Sequence, residues 1–132
     1  MQDVQFAIRL DIKSGIPIYR QIMDQVTAGI AAGSVRPGDQ LPTVRQLAVD
    51  LSVNPNTVIR AYRELEIRGI LDTQQGSGTF ISSLEIKTDA AERQRALNQL
   101  VTEFVGRAGA AGFTVQELAR ELKDRYSGSS AQ

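Results

Sequence analysis

Three features read from the residues alone set the fold class. Two short amphipathic helical patterns lie only a tight turn apart, a longer helical pattern precedes them, and two strand-like runs around a glycine-rich tip follow. Helix, helix, helix, β-hairpin predicts a mostly α chain with a small β-hairpin wing, a winged helix-turn-helix. Two further helical patterns predict a short two-helix C-terminal unit. At 132 residues the chain has room for one small domain and an appendage.

Phe6 to Leu10 is expected as a short strand, and "KSGIP", Lys13 to Pro17, as the turn into the first helix. That helix, residues 18–32, carries Ile18, Ile22, Val26 and Ile30 on one stripe and stops at Gly33. "RPGDQLP" (36–42) is a loop. "TVRQLAVDL" opens on Thr43 and Gln46, a T-x-x-Q capping box, and Val44, Leu47, Ala48 and Leu51 face the core of a short second helix.

Ser52 to Asn54 separate it from "VNPNTVIRAYRELEIRG". Asn54 is a good N-cap, because its side-chain oxygen can accept a free backbone N–H. Pro55 suits the first helical position, where its missing N–H costs nothing. Gly69 is a natural stop. Val58, Ala61, Tyr62 and Leu65 recur at i, i+3, i+4 and i+7, one buried face. A step of about 100° per residue puts Asn56, Arg60 and Arg63 on the far side, flanked by Thr57 and Ile59. "ILDT" (70–73) and "TFIS" (79–82) read as strands, with "QQGSG" (74–78) at the tip.

"SSLEIK" (82–87) reads as a linker, which divides the chain into a winged helix-turn-helix domain at 1–83 and a helical region at 84–132. In the second region Asp89 and Glu92 resemble a capping box, and Leu97, Leu100, Val101, Phe104 and Val105 form an apolar stripe. "GRAGAAG" (106–112) is expected to break that helix. The last helix starts at Thr114 with Glu117 as box partner and Phe113 stapled to Leu118; Val115, Leu118, Ala119, Leu122 and Tyr126 make its stripe. "SGSSAQ" is expected as a disordered tail.

Composition narrows the function. The absence of cysteine removes disulfides and thiolate metal sites and fits the cytoplasm. The absence of histidine removes the commonest acid–base residue and metal ligand, so neither an enzyme nor a cofactor is expected. "GSGTF" is glycine-rich, but it sits between strands, in neither a P-loop nor a dinucleotide-binding context. No apolar run is long enough for a membrane span, and no basic stretch leads into an apolar segment as in a secretory signal. Fifteen basic residues balance fifteen acidic ones, so non-specific affinity for nucleic acid should be modest.

"GDQLPTVRQLAVDLSVNPNTVIRAYRELEIRGIL" followed by "QGSGTFI" resembles the DNA-binding domain of GntR-type bacterial transcription regulators, over roughly residues 16–81. The short helical C-terminus is similar to the YtrA-type branch, whose members have small dimerising tails. The resemblance implies a homodimeric repressor on a palindromic operator of double-stranded DNA, often governing transporter genes. It matches Arg45 to the arginine of the second helix that reaches DNA. It matches Asn54, Asn56 and Thr57 to contacts of the recognition helix, and Gly76, Gly78 and Thr79 to the wing tip. Two departures stand out. Ile59 occupies a position where much of the family has arginine, with Arg60 following, and Gln74 and Gln75 replace frequent basic residues in the wing.

Each residue also has its own chemistry. Arg45, in the first turn of a helix, is disfavoured by the helix dipole; a phosphate would explain it, as would an ion pair with Asp39. Asn56 and Arg60 can offer paired hydrogen bonds to adenine and guanine edges. Arg63, further along, suits phosphate. Leu97, Leu100, Val101, Phe104, Leu118 and Leu122 are expected to form a dimer interface, since one helix pair cannot cover both stripes. Two helices leave little room for an enclosed pocket of about 300 Å³ or more, so no small-molecule effector is expected. The alternative from another class is a winged helix serving as a protein–protein module, its arginines docking an acidic partner.

Overall fold

A computed structural model describes residues 7–83 and 89–126. The elements run α1 (Ile18–Ala32), α2 (Val44–Leu51), α3 (Pro55–Ile67), β1 (Leu71–Gln74), β2 (Gly78–Ile81), α4 (Ala90–Ala110) and α5 (Val115–Tyr126). They fall into two compact units, Met1–Leu84 and Glu85–Gln132. Phe6, linker residues 84–87 and the tail at 127–132 lie outside the described residues.

The strand expected near the start does not form over residues 7–10. Two glutamines of α1 take the part of a strand partner. The Arg9 N–H donates to Gln25 Oε1 at 2.9 Å, and Gln25 Nε2 donates to the Arg9 carbonyl at 2.6 Å. Gln21 holds the N–H and carbonyl of Asp11 in the same way, at 2.8 and 2.9 Å. Buried Gln21 also donates to Ser14 Oγ and the Ile16 carbonyl, so its amide is satisfied. The apolar pattern resembled a strand, but the Arg9 and Asp11 backbone pairs with side chains.

The first unit is built around α3. Val58, Ala61, Tyr62 and Leu65 are all buried, as their spacing predicted, and meet Ile22, Met23 and Val26 of α1 and Leu47 and Ala48 of α2 in one core cluster. The capping box of α2 forms in both directions, each bond 3.0 Å. Ser52 ends α2 with φ 58°, the only non-glycine residue with positive φ among those described. The Val53 N–H returns to the Ala48 carbonyl at 3.0 Å and closes a Schellman turn. Asn54 Oδ1 then accepts the Asn56 N–H at 2.8 Å, and Pro55 starts α3. Tyr62 donates its hydroxyl to the Pro42 carbonyl at 2.7 Å, which ties α3 to the loop before α2.

The wing is the expected antiparallel hairpin, with both strands displaced by one residue toward the tip. Leu71 pairs with Ile81 and Gln74 with Gly78. Ile70 is drawn out of β1 because its N–H donates to the Leu65 carbonyl at 2.9 Å as α3 unwinds. Loop 36–42 stitches the wing's second strand: Leu41 donates to Thr79, Gly38 to Ile81, and Ile81 to Asp39, each at 2.8 Å.

In the second unit Asp89 caps α4 through the Glu92 N–H at 2.8 Å. The break expected over residues 106–112 comes at the end of that stretch: α4 runs through Gly106 and Gly109 to Ala110. A glycine inside a helix costs about 1 kcal/mol, and the alanines and Arg107 around Gly106 and Gly109 are strong helix formers. The stop comes at Gly112, with φ 93°, where the Phe113 N–H reaches the Ala108 carbonyl at 2.9 Å. Thr114 and Glu117 then form the box that starts α5.

Candidate nucleic-acid interface

The outward side of α3 follows from the inward one. With Val58, Ala61, Tyr62 and Leu65 in the core, Asn56, Arg60 and Arg63 are exposed and Thr57 is half-buried. An open groove of about 440 Å³ is lined by Asn54, Asn56, Thr57 and Arg60 of α3 and its cap, and by Ile18 and Tyr19 of α1. Four of the nine candidate contacts are thus brought together. Arg45, Arg63, Gly76, Gly78 and Thr79 lie outside this lining.

The polar groups divide by whether the fold already uses them. Asn54 spends its side-chain oxygen on the helix cap. The side chains of Asn56, Arg45 and Arg63 have no hydrogen-bond or ion-pair partner among the described residues. Asp39, the acid that could have paired with Arg45, accepts the Arg36 N–H at 2.8 Å instead. Glu66, near the far end of α3, is bonded by the Thr73 hydroxyl, which lies 3.3 Å from the Thr79 hydroxyl across the hairpin. These two carboxylates are therefore engaged elsewhere in the fold.

The wing glycines have structural duties of their own. Gly76 has φ 82° in the turn closed by the Ser77 N–H and the Gln74 carbonyl, a conformation that favours glycine. Gly78 has φ 131°, and a Cβ there would lie 2.4 Å from Gln40 Nε2, which donates to the Ser77 carbonyl at 3.0 Å. Both positions need glycine whether or not the wing touches a ligand.

Two residues of the site escaped sequence reasoning. Gln40 braces the wing tip from a loop 37 positions away, and nothing in its local pattern announces this. Tyr19 faces Arg60: the guanidinium carbon sits 3.8 Å from the ring centroid. Its only local signal was a large aromatic beside the apolar stripe of α1.

Residues 18–81 match the family of bacterial regulatory proteins, gntR family. The HTH-type transcriptional regulator Rv1152 of Mycobacterium tuberculosis is 46% identical over 87% of this chain and 90% of its own length. The chain belongs to the GntR family. It is similar along nearly its whole length to the transcriptional repressor YtrA of Bacillus subtilis, 37% identical over 89% of this chain and 90% of that one. This places it on the YtrA-like branch, among transcription regulators rather than enzymes. The DNA-binding domain of AraR, solved in complex with operator ORR3, superposes with a TM-score of 0.50 at 28% identity, covering 58% of this chain and 93% of that one. Among the described residues no helix is long and apolar enough to cross a membrane, and no acidic cluster could hold a metal ion.

Proposed function

We propose that this GntR-family chain is a homodimeric, sequence-specific repressor that binds a palindromic operator in the bacterial cytoplasm. Transporter genes are the targets that its YtrA-like character suggests. The observation that carries this reading is the outward face of α3, whose Asn56 side-chain amide has no partner among the described residues. Next to it the Arg60 guanidinium makes no hydrogen bond or ion pair within the described chain. On a solvent-only face such groups need no common direction. Around one groove Asn56 offers the donor and acceptor that match an adenine edge, and Arg60 the paired donors that a guanine edge accepts, in the major groove.

In this reading Asn56 and Arg60 contact bases, with Thr57 and Asn54 beside them. Arg45 and Arg63 grip phosphate, and Gly76, Gly78 and Thr79 bring the wing backbone to the sugar-phosphate chain. Zero net charge makes non-specific affinity modest and leaves selectivity to the base contacts. The named repressor YtrA and the operator-bound AraR domain support the reading by kinship.

Dimerisation is supported by the second unit. Leu97, Leu100, Val101 and Phe104 of α4 are 52%, 64%, 51% and 49% exposed, and Leu122 of α5 is 49% exposed. Leu118 is half-buried and has less to offer. A row of such residues is more apolar surface than a monomer usually leaves in water. The groove beside Leu100, Glu103, Phe104 and Arg107, about 600 Å³, is open rather than enclosed and gives a small-molecule effector little to be buried in.

The test of function is an anisotropy titration of labelled duplex DNA across a series of salt concentrations. The proposal expects affinity to fall steeply and linearly in log–log form as counterion release is suppressed. A chain that ignores duplex DNA but binds an acidic protein with little salt dependence is a protein–protein module instead.

A further inference from the structure

We infer that Tyr19, on the first turn of α1, is a positioning residue for base recognition: it holds the Arg60 guanidinium flat so that its hydrogen-bonding edge points along the groove. The inference rests on Arg60 reading a base, as proposed above, and adds a specificity-determining residue on a helix that is not itself assigned to the DNA.

Three observations support it. The guanidinium carbon lies 3.8 Å above the Tyr19 ring centroid, well inside the range over which an aromatic face attracts a cation. Stacking engages the flat face of the guanidinium and leaves its in-plane N–H donors open. No hydrogen bond or ion pair within the described chain takes those donors. Finally, Tyr19 and Ile18 line the same groove as Asn54, Asn56 and Thr57, so the stacked arginine is held beside the other candidate contacts.

The physical consequence is pre-organisation. A free arginine must give up its rotamer freedom to form a two-point contact with a base, and that loss is subtracted from affinity. An arginine already stacked on a half-buried ring has given up part of it on folding. The gain is confined to the cognate base, because a diffuse phosphate contact does not require a fixed guanidinium plane. Tyr19 should therefore affect discrimination and leave non-specific binding alone.

Anisotropy titrations of the full chain test this. They use the selected operator, the same operator changed at the base pair where Arg60→Ala loses preference, and unrelated duplex. Tyr19→Leu keeps apolar bulk but removes the π-face, and Tyr19→Phe keeps the face but removes the hydroxyl. Thermal melts confirm that both are folded. Tyr19→Leu is expected to reduce discrimination at that base pair by about two- to fivefold with unrelated duplex bound as before. Tyr19→Phe should match the wild type, and Tyr19→Leu should add nothing to Arg60→Ala. Wild-type discrimination in Tyr19→Leu, with discrimination lost in Arg60→Ala, overturns the positioning role and leaves base reading in place. Weaker binding of every duplex by Tyr19→Phe also overturns it, since the hydroxyl would then be serving as a phosphate contact. If no base pair loses preference in Arg60→Ala, base reading falls and this inference falls with it.

Discussion

Arg60, Arg45 and Arg63 are alike as side chains and differ in what the fold does with them. Arg60 lies over the Tyr19 ring in a groove with Asn56, whereas Arg45 and Arg63 are exposed outside it and have no ion pair among the described residues. Arg60→Ala should cost about 1–3 kcal/mol on the selected operator and relax preference at one base position. Wild-type affinity in this mutant, measured by titration, would remove Arg60 from base reading. Arg45→Ala and Arg63→Ala should instead weaken cognate and unrelated duplex together, each lowering the salt slope by about one unit. A changed base preference with an unchanged slope would reverse that division. The face holding Asn56, Arg60 and Arg63 was legible from the 3.6-residue periodicity, because the apolar positions of α3 leave only one side free. The stacking of Arg60 was not legible, since it depends on how α1 crosses α3, which no local pattern encodes. Gly78 shows the opposite limit: its resemblance to a wing contact hid a structural need imposed by its own φ of 131°.

Among the elements, α3 owes its placement to a polar bond as well as to its apolar face. The Tyr62 hydroxyl is buried against the Pro42 carbonyl, and burial pushes its pKa well above the ordinary tyrosine value. Tyr62→Phe should cost about 1 kcal/mol at neutral pH, as a net hydrogen bond does. The raised folded pKa means that the protonated form is favoured in the native state. This contribution is fully present below the unfolded value near 10 and is lost as pH rises above it toward the folded value. Denaturant melts should therefore show wild type losing stability above about pH 10 with a component that Tyr62→Phe lacks. Equal losses in both proteins would contradict this. Helix ends were read best where a side chain closes them, as at Thr43, Asn54 and Thr114. Glycine alone was an uneven signal: Gly33 ends α1 as read, whereas the stretch 106–112 left the stop of α4 open. Gly106 looks like a stop in isolation, but the formers around it carry α4 through, and the turn waits for the left-handed Gly112. The strand expected at residues 6–10 does not form over the described residues 7–10, where Gln25 of α1 satisfies the Arg9 backbone and Gln21 that of Asp11 just beyond.

For the whole molecule, a single winged helix contacts too few base pairs to choose a genomic site, and two copies related by a two-fold axis would double the reading. Phe104→Glu would place a charge on the exposed stripe of α4 and should yield folded monomers that bind a palindrome weakly, as sedimentation and titration would show. A wild type that is monomeric at micromolar concentration and binds its palindrome without cooperativity would remove the dimer. The central claim, that the α3 face reads DNA sequence, is tested most directly by selecting binding sites for the full chain from random duplex DNA. The result expected is an enriched palindrome whose half-sites lie about one DNA turn, roughly 34–36 Å, apart. A pool that stays random after repeated rounds, with folded protein, would contradict sequence-specific recognition.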